Sequence, residues 1–188
     1  MEAIEPSNGN KIPAIVKTTI DRELYHGTFW IVQDFITAEK DHWFNMGKKR
    51  ILFLCRHNSG RSQIAEAFLN DFAGSKFYAE SAGLEPTPMI HPLVKEVMYE
   101  AGFDISAKKV NSVFELFKEG RLYDYVITLC ENSGFEQCPV FPGFSQRLHW
   151  PFPDPEKLEG THDQKLSALR DIRDAIKEKI IVWLETEH

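Results

Sequence analysis

A thiol, Cys55, and a guanidinium, Arg61, stand at a C-x5-R spacing, with Ser62 directly after and only Arg56, His57, Asn58, Ser59 and Gly60 between. The run before the thiol, Ile51, Leu52, Phe53 and Leu54, is apolar after a charged start at Lys49 and Arg50, and predicts a buried strand of the parallel kind. From Gln63 onward Ile64, Ala65, Ala67, Phe68 and Phe72 keep helical spacing. A loop that feeds a helix N-terminus aims backbone N–H groups at one spot, and the helix dipole adds positive potential there. The fork of Arg61 suits bidentate contact with a tetrahedral oxyanion. Those surroundings favour the Cys55 thiolate, and Ser62 can donate to its sulfur. The unit reads as an anion cradle, residues 56–61, with a nucleophile at its floor. Arg56 and His57 add cationic character, directed at the anion or at solvent.

Further groups suit the same chemistry. Asp154, between Pro153 and Pro155, is placed to act as the acid that protonates a leaving oxygen. Cys130 and Cys138 have no use in ester hydrolysis but suit electron transfer. Several elements must bring these residues together. Residues 76–80 read as a second strand running into Ser81-Ala82-Gly83, and 124–130 as a third that ends at Cys130. Residues 147–150 give a short fourth strand before the proline-rich loop. A helix opens at His91-Pro92 and stops at Gly102; Ser106 is expected to cap another, with Val110, Val113, Phe114 and Phe117 on its face. Residues 163–185 form a long amphipathic helix with Leu166, Leu169, Ile172, Ile176, Ile180 and Trp183 on one side. Strands alternating with helices imply right-handed crossovers and an α/β three-layer sandwich around a four-stranded parallel sheet. Ligands bind at the carboxyl ends of such strands, and Cys55, Cys130 and Asp154 all follow strand ends.

The chain as a whole sets bounds. It has 188 residues and a formal net charge of −6, which argues against nucleic acid as a partner. No apolar run reaches the length of a membrane span, and no signal peptide is expected. Three cysteines do not make a disulfide framework, so a reduced, cytoplasmic setting is expected. Residues 1–47 form an N-terminal extension ahead of a catalytic domain at 48–188. Its aromatic stretch, with Phe29, Trp30, Phe35 and Trp43, is expected to pack on the domain or on a partner.

The strand, the C-x5-R loop, Ser62 and the following helix together resemble the low-molecular-weight protein tyrosine phosphatases. Gln63, where those phosphatases usually carry proline, is similar to their thioredoxin-coupled arsenate reductase branch. Ser81-Ala82-Gly83, Thr128-Leu129-Cys130, Cys138-Pro139 and His149-Trp150 also match, and the resemblance covers about residues 48–186. It implies a cysteine cascade without a bound cofactor. Cys55 attacks arsenate with help from Asp154, Cys130 resolves the adduct as a Cys55–Cys130 disulfide, and Cys138 converts it to Cys130–Cys138. A thioredoxin-like reductant then restores the thiols. Arg56, His57 and Gly60 depart from the usual loop, and the Cys130 to Cys138 spacing is one residue longer than usual. The resemblance also matches Asn58, Glu66, Ser81 and Asp104 to a monovalent cation site; hydrogen-bond bracing of the loop is the other reading of the same four residues. The alternatives are a phosphotyrosine or small-phosphomonoester phosphatase, which needs only Cys55, Arg61 and Asp154, and a phosphate- or partner-binding regulatory module. The phosphatases commonly hold an aryl group with a tyrosine pair, and Pro139, Val140 and Phe141 stand in the comparable region.

Overall fold

Ile51, Leu52, Phe53 and Leu54 are apolar in succession because the strand they form is covered on both faces. A computed structural model describes residues 47–131 and 139–187, so the expectations for 1–46 and for Cys138 lie outside the described residues. Strand β1 (Lys49–Cys55) leads into helix α1 (Arg61–Ala73) and strand β2 (Phe77–Gly83). Helices α2 (Pro92–Glu100) and α3 (Val113–Lys118) follow, then strands β3 (Tyr125–Thr128) and β4 (Gln146–His149). A 3-10 turn (Pro155–Lys157) and the long helix α4 (His162–Thr186) complete the order. The sheet has the strand order β2-β1-β3-β4, and every neighbouring pair is parallel.

Period-two alternation along β1 divides its side chains between two cores. Ile51 and Phe53 point, with Cys55, into the larger one, which is filled from α1, α2 and α4. Leu52 and Leu54 point into the smaller one, with Val113 and Leu116 of α3 and with Tyr123, Val126 and Phe141. The helical face expected on the last helix is buried residue for residue: Leu166, Leu169, Ile172, Ile176, Ile180 and Trp183. Trp183 meets Phe77, Tyr125 and Trp150, so α4 reaches both β1 neighbours and the entry to the proline-rich loop. Among the described residues, no helix is long and apolar enough to cross a membrane.

One helix differs from expectation. It begins at Val113, where the Ser112 hydroxyl accepts the Phe114 N–H, and not after Ser106. The preceding stretch is used elsewhere: the Gly83 N–H donates to the Asn111 carbonyl, and the Asn111 N–H donates to Asn58 in the cradle. A backbone spent on those long-range bonds cannot also close helical ones. Ser106 instead donates its N–H to the Asp104 carboxylate.

Candidate active site

The cradle starts where β1 ends. Cys55 is level with Gly83 of β2, and Leu54 is level with Thr128 of β3, so the thiol sits in mid-sheet at the carboxyl edge. The loop bends there through Asn58 at a φ of 53°, left-handed backbone that asparagine tolerates better than most residues. Its carbonyls are turned away from the thiol and clamped. Those of Cys55, Arg56, His57 and Ser59 accept the N–H groups of Leu84, Glu85, Thr87 and His91. Carbonyls held on one side leave the loop's own N–H groups for the other, and the first bond of α1 begins only at Ile64. Gly83 makes the clamp possible: a Cβ there would lie 2.8 Å from the Asn58 nitrogen and from the His57 carbonyl carbon.

Around the sulfur the hydrogen bonds have a readable direction. The Asn111 backbone N–H, an unambiguous donor, meets Asn58 Oδ1 at 2.7 Å and so fixes the amide. Asn58 Nδ2 must then donate to both Ser62 Oγ and Ser81 Oγ, each at 2.8 Å. With its oxygen occupied as an acceptor, Ser62 has its proton free for Cys55 Sγ, 3.0 Å away. The Asn58 N–H reaches the same sulfur at 3.2 Å. Gln63 closes the ring, its Nε2 donating to Asn58 Oδ1 at 3.1 Å and to the Lys109 carbonyl at 2.9 Å.

Arg61, Asp154, His57, Ser59, Gly60 and Cys55 line one small cavity together with Pro155 and Glu156. Arg61 is 3% exposed; its Nη2 lies 3.0 Å from Asp154 Oδ2, and its Nη1 donates to the Phe152 carbonyl. Its Nε is buried and finds no partner among the described residues, as a donor kept for an incoming anion would be. Asp154 also accepts the Glu156 N–H, which starts the 3-10 turn and sets the carboxylate toward the cradle. The Trp150 N–H on the Thr128 carbonyl and the Phe152 N–H on the Leu129 carbonyl carry the proline-rich loop along the end of β3 to this point.

Not every expected residue faces the cavity. Arg56 turns outward onto Glu85, at 3.0 Å between two exposed side chains. Asn58, fully buried, serves the sulfur and the loop from behind. Phe141 is buried against Tyr123 and Phe117, away from the cavity lining. Asn58, Ser81 and Glu66 form one hydrogen-bonded chain, and the Lys108 ammonium stands 2.7 Å from Glu66. Asp104 takes no part in that chain; the hydrogen bonds from Ser106 hold its carboxyl below the usual range. Three features carried no sequence signal: the 84–91 clamp, Asn111 and Glu156.

Cys130 comes two residues after Thr128, beside Cys55 at the sheet edge, and is partly buried. Burial pushes its thiol pKa up and the Cys55 sulfur adds to the shift, while Arg61 and the Arg56 N–H oppose it.

Comparison with known proteins places this geometry. The family model of the low molecular weight phosphotyrosine protein phosphatases matches residues 50–187. The arsenate reductase of Halalkalibacterium halodurans is 38% identical over 142 residues, 75% of this chain and 99% of its own length. A solved arsenate reductase in the phosphate binding state is similar with a TM-score of 0.57 at 28% identity, covering 73% of this chain and 98% of the other. The thioredoxin-dependent arsenate reductase of Corynebacterium glutamicum gives a TM-score of 0.52 at 28% identity, covering 84% of this chain and 77% of its own. A parallel sheet that ends in a clamped cysteine loop, with the family model matched over residues 50–187, means that the chain belongs to the low molecular weight phosphotyrosine protein phosphatase family.

Proposed function

We propose that this protein reduces arsenate to arsenite, with Cys55 as nucleophile and a thioredoxin-like dithiol as the source of electrons. Cys130 carries the reading. A phosphatase needs one thiol at this edge, and here a second stands beside the first, in range of Arg61 and Asp154. The arsenate reductases among the relatives support it, one of them thioredoxin-dependent.

The steps balance as follows. An oxyanion entering the cradle takes the Arg61 guanidinium from Asp154 and is held by the loop N–H groups. The Cys55 thiolate forms an S–As bond as an arsenic-bound hydroxyl takes a proton from the Asp154 carboxyl and leaves as water. The Cys130 thiolate then attacks the Cys55 sulfur: an S–S bond forms, the S–As bond breaks, and its electron pair stays on arsenic as arsenite. Two thiols have lost two electrons and arsenic has gained them. Cys138 attacks Cys130 in turn, releasing the Cys55 thiolate and leaving a Cys130–Cys138 disulfide for the external dithiol.

Arsenate turnover coupled to thioredoxin tests this. Cys130→Ser should lose multiple turnover, and Cys138→Ser should stop with a Cys55–Cys130 disulfide that peptide mapping detects. Hydrolysis of p-nitrophenyl phosphate, which leaves the enzyme's oxidation state alone, should persist in both. Full cycling of Cys138→Ser with thioredoxin would defeat the relay and favour the phosphatase reading, for which Cys55, Arg61 and Asp154 suffice.

A further inference from the structure

Glu156 belongs to the proline-rich loop, two residues after Asp154, yet its side chain reaches back to the cradle loop. Its Oε1 lies 2.9 Å from His57 Nδ1 and accepts the Ser59 hydroxyl at 3.2 Å. Both partners are on the cradle loop, so one carboxylate straps together the two loops that line the cavity. The space left inside measures about 10 Å³, about enough for a single water, so seating even a bare oxyanion requires Arg61 and Asp154 to part.

We propose that Glu156, held by His57 and Ser59, is a specificity-determining residue that admits bare inorganic oxyanions and disfavours phosphate monoesters. The inference deepens the reading above and rests on Cys55 as the attacking sulfur. Displacement at phosphorus or arsenic runs in line, so the leaving oxygen points away from Cys55 and out through the mouth, where Asp154 can protonate it. In arsenate that oxygen carries at most a proton, and nothing extends further. In a monoester the carbon group continues outward from the same oxygen. Pro155 and Glu156 share the cavity lining with Asp154, so a group that continues outward past Asp154 meets them. To seat an aryl or alkyl group there, the carboxylate must give up His57 and Ser59, or lose its water against an apolar surface, which is costly for a charge. Exclusion of this kind separates two ligands by penalising the wrong one.

Glu156 spends its carboxylate on His57 and Ser59 and not on the sulfur or the guanidinium, and its side chain is 36% exposed, so the fold tolerates its replacement. Glu156→Ala opens the exit; Glu156→Gln keeps the bulk and a group for Ser59 while removing the charge. Two measurements on the full chain report the effect. One is the concentration of phenyl phosphate, relative to inorganic phosphate, that protects Cys55 from iodoacetamide. The other is kcat/KM for p-nitrophenyl phosphate divided by kcat/KM for arsenate. In Glu156→Ala both should move toward the ester by about tenfold, and in Glu156→Gln by less. If neither ratio moves by more than about twofold in either variant, Glu156 does not select and the inference is overturned. If the parent fails to reduce arsenate while the protection ratio shifts as expected, the reductase reading falls and the selection by Glu156 stands.

Discussion

At the scale of single residues, Asn58 governs the sulfur more than its cationic neighbours do. Arg56 is turned to Glu85 and His57 to Glu156, whereas the Asn58 amide directs the Ser62 proton toward Cys55. Direction is what the amide provides, and it can be reversed. Asn58→Asp keeps an acceptor for the Asn111 N–H and a side chain suited to left-handed backbone, but it has no N–H to offer Ser62. The serine proton should then turn to the new carboxylate, and the sulfur should lose a donor while gaining a negative neighbour. A hydrogen bond to a charged group contributes about 1.5–3 kcal/mol, so alkylation of Cys55 by iodoacetamide at fixed pH should slow by at least about tenfold. Adding Ser62→Ala to that variant should cost little more, because the bond is already gone. Unchanged labelling in Asn58→Asp would mean that the Ser62 proton does not serve the sulfur.

At the scale of elements, α4 acts on the site from a distance. Trp183 near its end packs on Trp150, which opens the proline-rich loop, and on Phe77 and Tyr125 at the start of their strands. Trp183→Ala leaves three aromatic neighbours facing a cavity and should destabilise the fold by about 3–5 kcal/mol in urea titration, with Trp183→Phe costing clearly less. A Trp183→Ala protein as stable as the parent would show that the contact adds nothing to the core. The α4 face was legible in the sequence because a helical period marks burial directly, and the strands were legible as short apolar runs that end at functional residues. The start of α3 was not. Val110, Val113, Phe114 and Phe117 keep helical spacing, but the Asn111 backbone braces Gly83 and Asn58, and long-range hydrogen bonds of the main chain leave no mark on residue type. The 84–91 clamp was hidden for the same reason. Arg56 was open to two readings because its partner, Glu85, is far away in sequence and next to it in space. The meeting of Cys55 and Asp154 at one edge was readable since each stands at or after a strand end, and a parallel sheet gathers strand ends.

At the scale of the whole molecule, the sheet does one thing no local segment can: it sets two thiols from separate crossovers side by side in different surroundings. Cys55 receives donors from Asn58 and Ser62, while Cys130, on the neighbouring strand's extension, is partly buried and has its thiol pKa pushed up. The asymmetry suits an order of events, attack by Cys55 first and resolution by Cys130 second. It also makes the second step sensitive to pH, and the sign follows from the direction of the shift. Burial disfavours the charged thiolate, so at any pH below its raised value Cys130 is more protonated than a free thiol, whose pKa is about 8.5. Only the thiolate attacks, and its fraction grows about tenfold per pH unit on the acidic side. In a single turnover with saturating arsenate, the rate of Cys55–Cys130 disulfide formation should therefore rise steadily from about pH 6 to about pH 8 and level off only above the free-thiol range. Rapid quenching of Cys138→Ser with acid, followed by mapping of the disulfide, measures that rate apart from thioredoxin reduction and apart from transfer to Cys138. Arsenate binding adds negative charge beside the thiol and takes up Arg61, the main group opposing the shift, so the plateau should lie further to the alkaline side with arsenate bound than in alkylation of free Cys130. A rate that is flat across this range would remove Cys130 deprotonation as the limiting event and with it the division of labour between the two thiols.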